Sequence, residues 1–132
     1  MQKLDCIILV DDDGVTNYVH ESIIEDANVA KDVLIAENGQ DALALVKEQA
    51  AQPNQCPNLI FLDINMPVMN GFEFLEAYQQ LEEELNQPVI IVMLTSSLNP
   101  KDVERAHQAG VTDFVDKPLT REKLREILDK YF

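Results

Sequence analysis

Four short apolar runs in this chain each lead into residues that carry chemistry. Cys6-Ile7-Ile8-Leu9-Val10 runs into Asp11-Asp12-Asp13, and Leu59-Ile60-Phe61-Leu62 runs into Asp63. Val89 to Leu94 ends in Thr95, and Val111 to Val115 leads to Asp116-Lys117-Pro118. Stretches of helical periodicity separate the runs. Strands that are short and almost wholly apolar are buried on both faces. The alternation therefore predicts a parallel sheet covered by helices on each side. In such a sheet the polar ends all fall along the carboxyl edge, where open α/β sheets bind their ligands.

The helices can be placed from the same pattern. Val15, Val19, Ile23 and Ala27 recur at intervals of four, with Ile24 widening the stripe, and predict a first helix with these residues turned inward. Val33 to Ala36 predicts a short second strand, closed by Asn38-Gly39. A second helix from near Gln40 carries Ala42, Leu45 and Val46 inward. Asn70-Gly71 opens a third, with Phe72, Leu75 and Tyr78-Leu85 partly toward the sheet and a solvated end at Glu82-Glu83-Glu84. Asn99-Pro100 starts a fourth, where the missing N–H of proline costs nothing, and Gly110 ends it. Thr120 caps a fifth helix with Leu124, Ile127, Leu128 and Tyr131 in one stripe. Five βα units without a linker or repeat predict one domain over residues 1–132, and this length can bury a sizeable core.

Bulk properties remove several function classes. The net charge is -14 with only ten Lys and Arg, so no basic run can neutralise a nucleic-acid backbone. No apolar stretch approaches the roughly 20 residues that span a bilayer. The Met1-Gln2-Lys3-Leu4-Asp5 start lacks the apolar region of a signal peptide. The expected location is cytoplasmic, with Cys6 and Cys56 as reduced thiols rather than a disulfide framework. His20 and His107 are expected on helix surfaces, with no zinc-ligand spacing around them.

The carboxyl edge collects acids, a hydroxyl and a lysine. An Asp carboxylate is a weak nucleophile toward phosphorus and faces anionic oxygens, so attack needs local positive charge. A hard cation held by Asp11, Asp12 and Asp63 would supply it: Mg2+ first, which suits a few carboxylates plus substrate oxygens, with Mn2+ as the alternative. Lys117 is a compact point charge for a phosphoryl oxygen, and the Thr95 hydroxyl can donate to another. Asp13 either caps the next helix or supports the pair without touching metal. Singly, each is an ordinary surface group; their joint placement on one edge carries the reading.

The segment Phe61-Leu62-Asp63-Ile64-Asn65-Met66-Pro67-Val68-Met69-Asn70-Gly71 resembles the receiver domain of two-component response regulators. Ile8 to Asp13, Leu94-Thr95-Ser96-Ser97 and Phe114-Val115-Asp116-Lys117-Pro118 extend the resemblance, in the same order, over essentially the whole chain. The resemblance implies a single-domain, chemotaxis-receiver-like protein. Its fold would be flavodoxin-like and doubly wound, with a five-stranded parallel sheet in order 2-1-3-4-5 and five helices. Asp63 would accept a phosphoryl group from a sensor histidine kinase or a histidine phosphotransfer protein. Asp11, Asp12, Asp63 and the main-chain carbonyl of Asn65 would hold Mg2+, and Lys117 would assist. Thr95 and Phe114 would switch an α4-β5-α5 surface read by a downstream protein, unless Phe114 is simply a core residue.

The chain departs from the commonest family pattern in a longer loop over residues 51–58 and a longer polar stretch near Asn86-Gln87. A stand-alone receiver is expected, without nucleic-acid or membrane contact. One alternative is a phosphorelay intermediate that passes the group to another histidine. The other is a phosphoaspartate hydrolase, disfavoured because Asn65 stands where such enzymes place their acid/base Asp. Slow self-hydrolysis is expected, and substrate turnover is not.

Overall fold

The computed structural model describes residues 3–52, 56–82, 89–96 and 99–132. Strands and helices alternate as β1 (Leu4–Val10), α1 (Gly14–Ala27), β2 (Ala30–Ala36), α2 (Gly39–Ala50) and β3 (Leu59–Leu62). They continue as α3 (Gly71–Leu81), β4 (Ile90–Thr95), α4 (Pro100–Gln108), β5 (Asp113–Asp116) and α5 (Arg121–Tyr131). All strands pair in parallel, in the order β2-β1-β3-β4-β5, which is the flavodoxin-like arrangement expected. No helix among the described residues is long and apolar enough to cross a membrane.

Side chains alternate across the sheet with a period of two, and this builds two cores. Ile8, Val10, Ile60, Leu62 and Met93 pack with Ala42 and Val46 of α2, Phe74 and Leu75 of α3, and Ala106 of α4. The intervening residues Ile7, Leu9, Leu59, Phe61, Val92 and Leu94 pack with Ile24 of α1 and Leu124, Ile127 and Leu128 of α5.

The helix starts are capped where the sequence places them. Asn38, Asn70, Asn99 and Thr120 each accept a main-chain N–H at the start of α2, α3, α4 and α5. At α3 the cap is reciprocal: the Asn70 side chain accepts from Glu73 N–H while Glu73 accepts from Asn70 N–H. β2 begins at Ala30, earlier than expected, because the edge strand tolerates the exposed Lys31 and Asp32 while still pairing with β1. Of the expected acidic end of α3, Glu82 is exposed at the C-cap. The rest of that stretch, with Asn86-Gln87, lies outside the described residues, as do Pro53 to Gln55 of the loop before β3.

Three expectations are corrected. The α1 stripe does not face inward as a whole: Val15 is 73% exposed and Val19 43%, while Asn17, His20 and Ile24 are buried. His20 is therefore not a surface residue, although His107 is exposed as expected. Polar groups can take the inner face here because Asn17 Nδ2 and His20 Nε2 each find a main-chain partner. Cys6 and Cys56 are not separate thiols but are joined in a disulfide, with Cα atoms 5.0 Å apart. Asn58 brings them together. Its side-chain oxygen accepts from Asp5 and Cys6 N–H, and its own N–H donates to the Cys6 carbonyl, laying the entry to β3 along the start of β1.

Candidate functional site

Strand register places the site. Val10 pairs with Leu62, so Asp11 and Asp63 leave adjacent strands side by side, and Asp63 N–H donates to the Val10 carbonyl at 2.9 Å. Between β1 and β3 the strand order reverses direction, which is where doubly wound sheets open a crevice. On the other flank Thr95 pairs with Asp116, and Lys117 N–H donates to the Thr95 carbonyl at 2.8 Å.

Asp11, Asp12 and Asp63 offer carboxylate oxygens that lie within 4.8 Å of one another. Asp11 and Asp63 are buried, at 5% and 7% exposure, and Asp12 opens to solvent. Two carboxylates at that separation repel by about 3 kcal/mol at an effective dielectric near 20. Lys117 reaches into the cluster, paired with Asp11 Oδ2 and 3.4 Å from Asp63 Oδ1. Three hard oxygen donors, one still facing water, fit a cation that keeps part of its hydration shell. The cluster could hold such an ion.

Local charge explains the ionisation. Burial raises the Asp63 pKa and the neighbouring Asp11 raises it further, against the opposing pull of Lys117 and the Ile64 N–H bond. Burial works against the Lys117 ammonium, but its bond to Asp11 and the charges of Asp63 and Asp11 outweigh this and hold its pKa above the ordinary value. Ile64 N–H donates to Asp63 Oδ1 at 2.9 Å, which fixes the carboxylate plane. A Cβ at Gly71 would collide with the main-chain oxygen of Asp63, so only glycine lets the start of α3 close against it.

Asp13 resolves as the α1 cap, accepting from Val15 N–H and the Thr16 hydroxyl, and its own N–H donates to Asp11 Oδ1. Thr95 is buried at the end of β4, and Asn65 is exposed two residues past Asp63. Phe114 is half-buried on β5 and packs against the core under α2, α3 and α4. Sequence reasoning missed Asn17 and His20. Asn17 Nδ2 donates to the Asp11 carbonyl at 2.8 Å, and His20 Nε2 accepts from Leu119 N–H at 3.2 Å. Their only trace in the sequence is their spacing with Ile24, which puts all three on one helix face.

Known proteins share this fold. The family model for the response regulator receiver domain matches residues 7–129. Two-component response regulator ORR41 of Oryza sativa subsp. japonica is 32% identical over 130 residues, covering 98% of this chain and 96% of its own length. The crystal structure of a two-component response regulator from Cytophaga hutchinsonii superposes with a TM-score of 0.88 at 30% identity, covering 98% of each chain. A chain of the co-crystal structure of the Saccharomyces cerevisiae histidine phosphotransfer protein Ypd1 and the receiver domain of Ssk1 gives 0.82 at 25% identity, covering 99% of this chain and 90% of that one. The chain spans only 7% of the length of the hybrid signal transduction histidine kinases L and B of Dictyostelium discoideum, which it also matches. The match spans every strand but the start of β1, and the chain belongs to the response regulator receiver domain family, signalling modules of two-component systems rather than classical enzymes.

Proposed function

We propose that this protein is a single receiver domain over residues 1–132 and that Asp63 is its phosphoryl acceptor. One Asp63 carboxylate oxygen attacks the phosphorus of a phosphohistidine. The new O–P bond forms as the P–N bond breaks, and the electron pair returns to the imidazole of the donor. The observation that carries this is the convergence of Asp11, Asp12 and Lys117 on a buried Asp63. Asp11, Asp12, Asp63 and the main-chain carbonyl of Asn65 would hold Mg2+, which when bound offsets charge on the transferring group. Lys117 moves from its carboxylate partners to a phosphoryl oxygen, and the Thr95 hydroxyl donates to another. Phe114 then repacks as the start of β5 responds. Phenylalanine has no hydroxyl to bond, so this switch of the α4-β5-α5 surface, read by a downstream protein, works through packing alone.

The donor is a sensor histidine kinase or a histidine phosphotransfer protein. Exposed Val15, Tyr18 and Val19 on α1, with Val68 on the loop after Asp63, give such a partner an apolar landing beside the acceptor. The reading places the protein in the cytoplasm, a compartment that tends to reduce bonds such as Cys6–Cys56. Likeness to the chain from the Ypd1–Ssk1 complex and to hybrid kinases keeps a second reading open, in which the phosphoryl group is relayed onward to another histidine.

The test is incubation with Mg2+ and a small acyl-phosphate donor, read by intact mass. A single phosphoryl adduct is expected, not formed when a chelator removes the Mg2+ beforehand and absent in Asp63→Asn. No adduct on the folded wild type with Mg2+ present would contradict the reading. Transfer from the phosphorylated protein to a histidine phosphotransfer protein separates the relay from the switch.

A further inference from the structure

α1 carries two buried polar side chains on the face packed toward the sheet. Asn17 and His20 are 3% and 2% exposed. Asn17 grips the carbonyl of Asp11, and His20 accepts the N–H of Leu119, two residues beyond Lys117. Polar groups at core-facing positions lose hydration, so they are tolerated only for the bonds they make. The two bonds run from one helix to the two loops whose side chains meet at the site, since Lys117 pairs with Asp11. The segment Lys117-Pro118-Leu119 is thereby tied at both ends: Lys117 N–H to the Thr95 carbonyl, and Leu119 N–H to His20.

We propose that His20 is a positioning residue for Lys117: as a hydrogen-bond acceptor it fixes the Lys117-Pro118-Leu119 segment so that the ammonium is held over the acceptor carboxylate. The inference rests on the reading of Asp63 as phosphoacceptor. Nε2 accepts only without a proton, so the ring works in its neutral form, with hydrogen on Nδ1. Burial opposes protonation most strongly. Asp11 at the end of β1 favours it, Lys117 in the loop after β5 opposes it, and the balance keeps His20 below the ordinary 6.5. The tie is closed at neutral pH and opens as pH falls through that lowered value.

The test uses the whole protein with Mg2+ and a small acyl-phosphate donor, and reads the initial rate of adduct formation by intact mass between about pH 7.5 and 5. His20→Gln keeps an acceptor oxygen near the Nε2 position and does not titrate; His20→Leu keeps bulk and removes the acceptor. At neutral pH His20→Gln should match wild type. His20→Leu, folded by circular dichroism and with unchanged Mg2+ affinity, should be about three- to tenfold slower, the weight of one neutral hydrogen bond. The ratio of wild type to His20→Gln cancels the donor's own ionisation and should fall by a similar factor as the solution is acidified. A ratio that stays flat across the pH at which the His20 ring is seen to titrate by NMR, or a folded His20→Leu as fast as wild type, overturns the inference. If His20→Leu does not fold, His20→Phe, which keeps a ring without the acceptor, is read in its place with the same overturning result. No adduct on wild type at any pH overturns the acceptor reading, and this inference with it.

Discussion

α1 and α5 cover the same face of the sheet, yet they obey opposite rules. α5 buries Leu124, Ile127 and Leu128 and turns Arg121, Glu122, Arg125, Glu126, Asp129 and Lys130 to solvent. That is the amphipathic pattern of a helix whose work is to close a core. α1 keeps that rule only in its second half, at Ile24. Its first half buries Asn17 and His20 and exposes Val15, Tyr18 and Val19. The inversion coincides with the half nearest Asp11, Asp12 and Asp13. One helix carries stability; the other gives up part of its apolar burial to reach the site.

The largest effect should come from breaking the conforming helix. Leu128→Ala, at 2% exposure, should lower unfolding free energy by about 3 kcal/mol in a denaturant titration. The rate of Asp63 phosphorylation per folded molecule should stay near wild type. The complementary change is Tyr18→Ala with Val19→Ala on the exposed face of α1. Stability should move by about 0.5 kcal/mol or less. Transfer from a phosphohistidine partner should slow about tenfold, as for loss of an anchoring contact, while transfer from a small acyl phosphate is unchanged. Equal loss with both donors would mean that this face serves the chemistry and not the partner.

Within the site, Asp63→Asn should stabilise the metal-free protein at neutral pH by about 1 kcal/mol, because it removes a buried charge beside Asp11. The sign follows from the raised pKa of Asp63. The folded state favours the protonated carboxyl, so wild type and variant are alike in acid. Wild type then falls behind as pH rises through that elevated value. Added Mg2+ should reverse the order, raising the melting temperature of wild type more than that of Asp63→Asn. The smallest effect concerns Val68, which repeats the exposed-apolar theme of α1 on the loop after Asp63. Its φ of 68° places a β-branched residue in the left-handed region. Val68→Asn should add about 0.5 kcal/mol, measured by thermal melts.

The strands and the edge chemistry were legible because an apolar run ending in an acid needs only local pattern and the parallel-sheet rule. Asp11, Asp12, Asp63, Thr95 and Lys117 follow from that rule together with the family resemblance. The inner face of α1 was not legible. Val15, Val19, Ile23 and Ala27 make the better stripe, and only tertiary partners, the Asp11 carbonyl and the Leu119 N–H, make Asn17 and His20 the buried pair. The Cys6–Cys56 pairing was hidden for a similar reason. It depends on Asn58 aligning two segments that are 50 residues apart in the chain.

The most direct test of the central claim is to locate the phosphoryl group. The protein is phosphorylated with a small acyl phosphate and Mg2+, then reduced with borohydride, which converts an aspartyl phosphate to homoserine, and the peptides are sequenced by mass spectrometry. The predicted result is homoserine at Asp63 alone. Homoserine at Asp11 or Asp12, or a phosphoryl group retained on His20 with Asp63 unchanged, would contradict the account.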